Sequence, residues 1–549
     1  MGCIFCNNSK DVDEVEAHKS CKISDGHPCI PCQQYIELET QILAAQKTIA
    51  KMMLRQNELR TEINRYHDPL LRCFPPEILS TIFTSFTEQY GMDHLKETNW
   101  QSINRCPPLV LGAVCRDWRR VAWSSPQLWT HIKISLTDAD DWNCTEIVQE
   151  CLRRSGQLPL FIKMTCIPLN AEVGLDPEGV FLGLISVINQ HSDQWEDLRL
   201  YCSPEIFPFI RGNSYGVPML RRLALGLPDP WDPSEDIECN LFDITGSVKP
   251  QPLYVETYGI SFESLDINWS QVTEVHFDTV ICLNECIELL RQAPQLVNCA
   301  FLNVSDSRRV GYTFSTNNVP FVHHKLQSLV IGGYGGDKLV WFLGFFIFPN
   351  LGDLCLDEGC TNLDLDWFTD LITRSSCRLV SLSLVDLQCP YEKLLRLLRK
   401  TPFLRKLDLT YCVIIDRHPS EIFRLLADTS TSDASDGSQL ESPFLPNVQF
   451  LQYYSDCHTW DASFWALIPG ALGRWDIHDP QSRRLKEVYI NIWEIHEETQ
   501  RICVDRDVML RLVEALQSGI KLNLKCNNHD ILKPSIAHHQ ITIQSDRAV

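Results

Sequence analysis

The chain lacks an apolar stretch long enough to cross a bilayer: its longest run, Leu339 to Phe348, is about half of the ~20 residues a spanning helix needs. That run reads as buried core. No basic cluster offsets a net charge of −21, set by 49 Lys plus Arg against 70 Asp plus Glu. Nucleic acid and anionic membrane are thereby excluded as general partners. The opening MGCIFCNNSK has no apolar segment that can serve as a secretory signal core, so the expectation is a cytoplasmic and/or nuclear protein without a transmembrane segment. Catalytic signatures are missing too: there is no G-x-S-x-G, H-E-x-x-H, phosphate loop or kinase motif. Gly332-Gly-Tyr-Gly-Gly336 directly follows an apolar strand pattern and has no Lys-Ser/Thr pair, so it reads as a turn. His323-His324 and His538-His539 stand apart from CxxC or carboxylate company and read as surface residues. The expectation is a non-catalytic chain with no catalytic residues.

What is present is a long, ordinary globular composition: 549 residues, 44% hydrophobic and 22% charged. Twenty-four cysteines occur, most of them singly inside apolar segments such as LGDLCLDEGC, where a reduced thiol behaves as a small hydrophobe. Residues 1–33 are the exception. Cys3, Cys6, Cys29 and Cys32 form two CxxC pairs, and each pair can clasp one edge of a zinc tetrahedron. Their separation is longer than the usual four-thiolate spacing, so structural zinc and free surface thiols both stand as readings; no other cofactor is implied. Met1-Gly-Cys matches the acylation pattern poorly, because Cys6 takes the place of the required Ser or Thr.

Residues 34–67 carry a heptad seam: Tyr35, Leu38, Ile42, Ala45, Ile49, Met52, Gln56, Leu59, Ile63 and Tyr66 alternate at steps of three and four with no intervening Gly or Pro. A helix of about 45 Å follows. It pairs with a copy of itself, folds into a hairpin, or lies as an amphipathic helix on the chain's own body. Next, Phe74-Pro-Pro-Glu-Ile-Leu-Ser-Thr-Ile-Phe83 puts two prolines and an acid at a helix start. A polar stretch from Thr87 to Arg105 precedes a second apolar helix through Leu109, Val114, Cys115, Trp118 and Val121, closed by Ser124-Ser-Pro-Gln-Leu-Trp129.

From there a repeat dominates. The template apolar-x-x-apolar-x-apolar recurs at Trp195/Leu198/Leu200, Leu220/Leu223/Leu225, Val272/Val275/Phe277, Leu296/Cys299/Phe301 and Leu326/Leu329/Ile331. It continues at Leu351/Leu354/Leu356, Leu379/Leu382/Leu384, Leu404/Leu407/Leu409, Val448/Leu451/Tyr453 and Leu485/Val488/Ile490. Neighbouring matches are mostly 24 to 30 residues apart, a period that suits one strand plus one helix per unit. Helical halves such as Glu285 to Arg291 and Tyr391 to Lys400 are each followed by a proline, Pro294 and Pro402. Residues 226–252 and 428–442 read as inserted loops, and 527–549 as a tail.

Residues 73 to 130 resemble the F-box, the helical module that docks F-box proteins onto the Skp-type adaptor of SCF ubiquitin ligases. FPPEILSTIF follows the family's "LPxEIxxxIF" with Phe74 in place of Leu, and VCRDWRRVAWSSPQLW follows its "VCxxWxxxaxxxxLW". The Thr87 to Arg105 insert is longer than the family pattern. The combination of heptad head, F-box and irregular repeats looks most like the expanded fungal branch of F-box/leucine-rich-repeat proteins. The resemblance implies an α/β chain: a leucine-rich-repeat solenoid over 135–526, preceded by an all-α F-box over 68–134 and a coiled-coil-like helix. It implies that Pro75, Pro76, Ile78, Leu79, Ile82, Val114, Cys115, Trp118, Leu128 and Trp129 contact the adaptor or shape the surface that does, within a cullin complex. An unknown target protein would meet the strand face that alternates away from the core, at Arg222, Ser328, Asp353, Asp357, Ser381, Ser383, Lys406, Asp408 and Thr410. The competing class is a repeat scaffold outside any ligase, assembled through the heptad helix.

Overall fold

The computed structural model describes residues 29–67, 70, 73–91, 106–136, 144–166, 180–227, 249–305, 320–333, 343–357, 364–414, 420–431, 444–455, 464–473, 485–493 and 503–541. The described residues fall into two compact units, one reaching Leu128 and the other beginning at Trp129. The chain is a mixed α/β protein with a long N-terminal helix and a large, predominantly parallel sheet.

The first unit holds α1 (Ile30–His67), α2 (Pro76–Gly91), α3 (Pro107–Val114) and α4 (Arg116–Ser124). The heptad segment is a single uninterrupted helix of 38 residues. Its apolar seam is open to solvent: Tyr35, Leu38, Ile42, Ile49, Met52, Leu59, Ile63 and Tyr66 are between 42% and 72% exposed. The second apolar segment, expected as one helix, is two. Cys115 is extended (φ −156°, ψ 173°) and ends α3. Its Sγ then accepts the Trp118 amide at 3.4 Å, which starts α4. A side-chain acceptor at this N-cap position satisfies one of the amides that a helix start leaves unpaired.

The second unit is organised by a 15-stranded sheet whose strands neighbour one another in chain order. These are β1 (His131–Leu136), β2 (Leu160–Cys166), β3 (Trp195–Tyr201), β4 (Arg222–Gly226), β5 (Tyr254–Tyr258), β6 (Glu274–Cys282) and β7 (Asn298–Ser305). The series continues with β8 (Ser328–Gly332), β9 (Asp353–Asp357), β10 (Ser381–Val385), β11 (Lys406–Thr410), β12 (Phe450–Ser455), β13 (Glu487–Ile492), β14 (Lys521–Cys526) and β15 (His529–Asp530). All neighbouring pairs are parallel except β14 with β15. Parallel neighbours require a crossover. Among the described residues, several crossovers carry helices: α5 (Cys144–Ser155), α6 (Val180–Gln190), α7 (Leu283–Gln292), α8 (Leu365–Ser375), α9 (Tyr391–Arg399), α10 (Ser420–Thr431), α11 (Phe464–Leu472) and α12 (Arg506–Gln517). A last helix, α13 (Leu532–His538), lies with β15 in the segment expected as tail, and buries Leu532 and Ser535.

The repeat template explains the register. Its fourth position, joined by Val255 of the non-template strand β5, forms one continuous buried row across the sheet, Leu223, Val255, Val275, Cys299, Leu329, Leu354, Leu382, Leu407, Leu451 and Val488, each paired with the next and each no more than 3% exposed. A lone unit leaves this face in water, whereas stacking buries it at roughly 1.5–3 kcal/mol per large side chain. Backbone bonds fix each step. The carbonyls of Val297, Gln327, Gly352, Val380, Arg405 and Gln449 each accept from two successive amides of the next strand's entry. The helices follow the same logic: α9 buries Tyr391, Leu394, Leu397 and Leu398 on one face and ends before Pro402, and α7 is closed at its start by the Glu285 carboxylate accepting the Cys282 amide at 2.8 Å.

His323 is inside this core, 2% exposed, rather than on the surface. Its Nδ1 accepts the Leu326 amide at 3.3 Å, so Nε2 carries the proton and donates to the Ala293 carbonyl at 3.0 Å. Burial, only partly opposed by the bonds to the Ala293 carbonyl and to His323's own backbone, pulls its pKa below the ordinary 6.5. The unfolded chain therefore binds the proton more tightly than the folded one. Stability from this group is complete above the ordinary value and is lost as pH falls below it toward the depressed folded value. Urea midpoints measured from pH 7.5 to 5.5 are expected to fall less for His323→Asn, which cannot titrate, than for the wild type.

Candidate functional site

Two surfaces merit a functional reading, and the first is the α2–α4 module. Leu79 and Phe83 point inward, fully buried, and Phe83 packs on Trp118 with ring centroids 4.8 Å apart. Ser80 Oγ bonds Ser125 Oγ at 2.9 Å, which in turn donates to the Val121 carbonyl at 2.8 Å. Arg119 Nε donates to the Gly112 carbonyl at 2.8 Å and ties α4 back onto α3. Gly112 has no room for a side chain, since an added Cβ would enter the Trp123 ring. With the interior so filled, Ile78, Ile82 and Val114 remain outside at 45%, 38% and 52% exposure, beside exposed Pro75 and Pro76. Leu109 and Val110 extend this apolar set. A solvent-facing group of this kind on short helices is suited to a groove on another helical protein.

The residues that motif reasoning grouped thus separate by burial. Pro75, Pro76, Ile78, Ile82 and Val114 face solvent, and Trp118 is half-buried against Phe83. Leu79, Leu128 and Trp129 are no more than 1% exposed, so they pack the fold; the Arg154 guanidinium lies 4.9 Å from the Trp129 ring. Cys115 caps a helix.

The second surface is the sheet face opposite the buried row. Alternation brings Ser328, Asp353, Ser381 and Lys406 into one continuous register row, with Ser383 and Asp408 paired in the row beside it. Asp357 pairs with Gly332, and Thr410 with Val385 and Tyr454. Asp408 accepts from Ser383 Oγ at 3.2 Å and Thr410 Oγ1 at 2.7 Å, and Gln452 donates to Thr410 at 3.2 Å. The Lys406 ammonium lies 5.3 Å from the Phe450 ring centroid, and Phe450 lies 5.4 Å from Tyr489. Arg222 stands several strands away. It rests over Tyr254 at 4.2 Å and 3.6 Å from Asp197, while Tyr254 donates to Glu256 at 2.9 Å. Burial and the Glu256 charge push the Tyr254 phenol up to about 12, so it stays protonated and donates.

Sequence reasoning missed the aromatic members of this face. Phe450, Tyr454 and Tyr489 occupy outward positions of template strands and were reachable by the same alternation. Tyr254 was not, because its strand carries Thr257 where the template wants an aliphatic residue.

Cys3 and Cys6 lie outside the described residues. Cys29 and Cys32 sit 3.5 Å apart, sulfur to sulfur, at the start of α1; among the described residues no group of three or more His, Cys, Asp or Glu side chains is placed to hold a metal ion. No described helix is long and apolar enough to cross a membrane. No family model matches the chain, and no curated protein matches it.

Proposed function

We propose that this chain is a non-catalytic substrate receptor of an SCF-type ubiquitin ligase, its α2–α4 module docking on a Skp-type adaptor and its repeat strands binding a target protein. The observation that carries the proposal is the partition in that module: Leu79 and Phe83 fill the interior while Pro75, Pro76, Ile78, Ile82 and Val114 are left on the outside. These exposed residues belong to the two motifs that resemble the F-box. The chain-order parallel sheet, with its unbroken buried row, supports a leucine-rich-repeat solenoid as the receptor part. Its outward face carries Phe450, Tyr454, Tyr489 and Tyr254 among Asp, Ser and Lys, and those aromatics are the residue type enriched in protein-binding surfaces. Such a chain acts by proximity, holding a target near a charged conjugating enzyme, and works in the cytoplasm or nucleus.

The test is direct binding of the full chain to a purified Skp-type adaptor by calorimetry. A Kd of about 1 µM or tighter, near −8 kcal/mol, is expected, weakened at least tenfold by Ile78→Asp and by Pro76→Ala with circular dichroism unchanged. Absence of binding by the folded chain sinks the ligase assignment and leaves the scaffold, organised through α1.

A further inference from the structure

The α1 seam is exposed along its whole length, and its residues specify a partner. We propose that α1 pairs with α1 of a second copy of this chain, antiparallel and in full overlap, with Tyr35 of each helix opposite Tyr66 of the other. This does not depend on adaptor docking, since α1 lies outside the α2–α4 module.

In the heptad alphabet, Tyr35, Ile42, Ile49, Gln56 and Ile63 are a positions, and Leu38, Ala45, Met52, Leu59 and Tyr66 are d positions. Ile at a with Leu at d suits two strands, a rule that by itself admits the parallel pair as a rival to the antiparallel one. The polar layer and the flanking charges separate them. In a parallel pair Gln56 faces Gln56 in one crowded polar layer, and Ala45 faces Ala45 in another, where two methyl groups leave a void. The antiparallel register instead sets Gln56 opposite Ala45, and its other layers are Leu38 with Ile63, Ile42 with Leu59, and Ile49 with Met52. Large faces small only where the amide needs room to reach water.

The flanks agree. The parallel pair places Arg55 (g) beside Arg60 (e) of the other helix, two like-charge contacts per dimer. The antiparallel pair sets Glu39 (e) beside Arg60 (e) twice, each of opposite sign. Arg55 then faces Thr48 and keeps its own-helix bond to Glu58 at 2.9 Å. Charges at these positions set orientation in coiled coils, and here they favour only one.

The experiment is sedimentation equilibrium on the full chain, wild type and variants. The wild type is expected to be a dimer, and Ile49→Asp a monomer whose circular dichroism and thermal unfolding match the wild type in dilute solution, because Ile49 is exposed in the single chain. Arg60→Glu is expected to raise the dimer Kd roughly tenfold by putting Glu beside Glu39, and the double exchange Glu39→Arg with Arg60→Glu to restore it. A wild type that stays monomeric at tens of micromolar overturns the proposal, as does a dimer indifferent to Ile49→Asp. A dimer strengthened by Arg60→Glu is parallel and equally overturns it.

Discussion

Truncating Leu382 to alanine is expected to lower the unfolding free energy by about 2–5 kcal/mol, whereas Ser381→Ala, one residue earlier, changes it by no more than about 0.5 kcal/mol. The two residues are neighbours on one strand and present opposite faces, Leu382 buried and Ser381 outward. Leu382 is fully buried between Leu354 and Leu407 in the continuous buried row, so its loss leaves a cavity that neighbours held by double backbone bonds at each strand entry cannot collapse to fill. Ser381 lies on the opposite face beside Asp353 and Lys406. Urea denaturation followed by far-ultraviolet circular dichroism gives both values. Equal effects would mean that the two faces are not inside and outside, and the sheet assignment would fall with them.

This asymmetry is also why so much of the sheet was legible beforehand. Where three aliphatic or aromatic positions must all be buried, as at Leu379, Leu382 and Leu384, the pattern is written in side chains that have no other reason to recur. Where burial is satisfied differently, the pattern goes silent. Strand β5 buries Val255 and Thr257; β2 buries Ile162 and Met164 with Pro159 where the template has its leading apolar residue; and β14 has only a half-buried Leu522 in that row. The break between α3 and α4 was hidden because Cys115 fits the apolar periodicity while its thiol acts as a cap. His323 was hidden because a neutral imidazole with two backbone partners is compatible with a core that its sequence neighbours do not announce. For the α2–α4 module, motif order identified the residues and burial sorted them: periodicity marks an apolar position, but only packing against Phe83 and Trp118 tells an inward Leu79 from an outward Ile78.

Gly333→Ala is expected to be the most damaging small substitution on the sheet's rim, destabilising the fold by roughly 2–6 kcal/mol. Gly333 has φ +111°, a region L side chains rarely adopt. A Cβ there would also lie 2.7 Å from the Val304 carbonyl oxygen and closer still to the Val304 amide. Both obstacles are backbone on the neighbouring strand β7, so no side-chain rotation relieves them. The preceding residue is confined as well: a Cβ on Gly332 would come within 2.5 Å of the Leu302 carbonyl. Gly332 and Gly333, the first two glycines of the Gly332 to Gly336 segment, are therefore accounted for by strand-to-strand approach. Gly183 in α6 supplies the control, because it has open space around it and no positive φ; Gly183→Ala should stabilise the chain by about 0.5–1 kcal/mol. Opposite signs for the same chemical change, read from urea midpoints, would establish that close backbone packing fixes glycine at 333. A neutral Gly333→Ala would return that turn to candidacy as a binding loop.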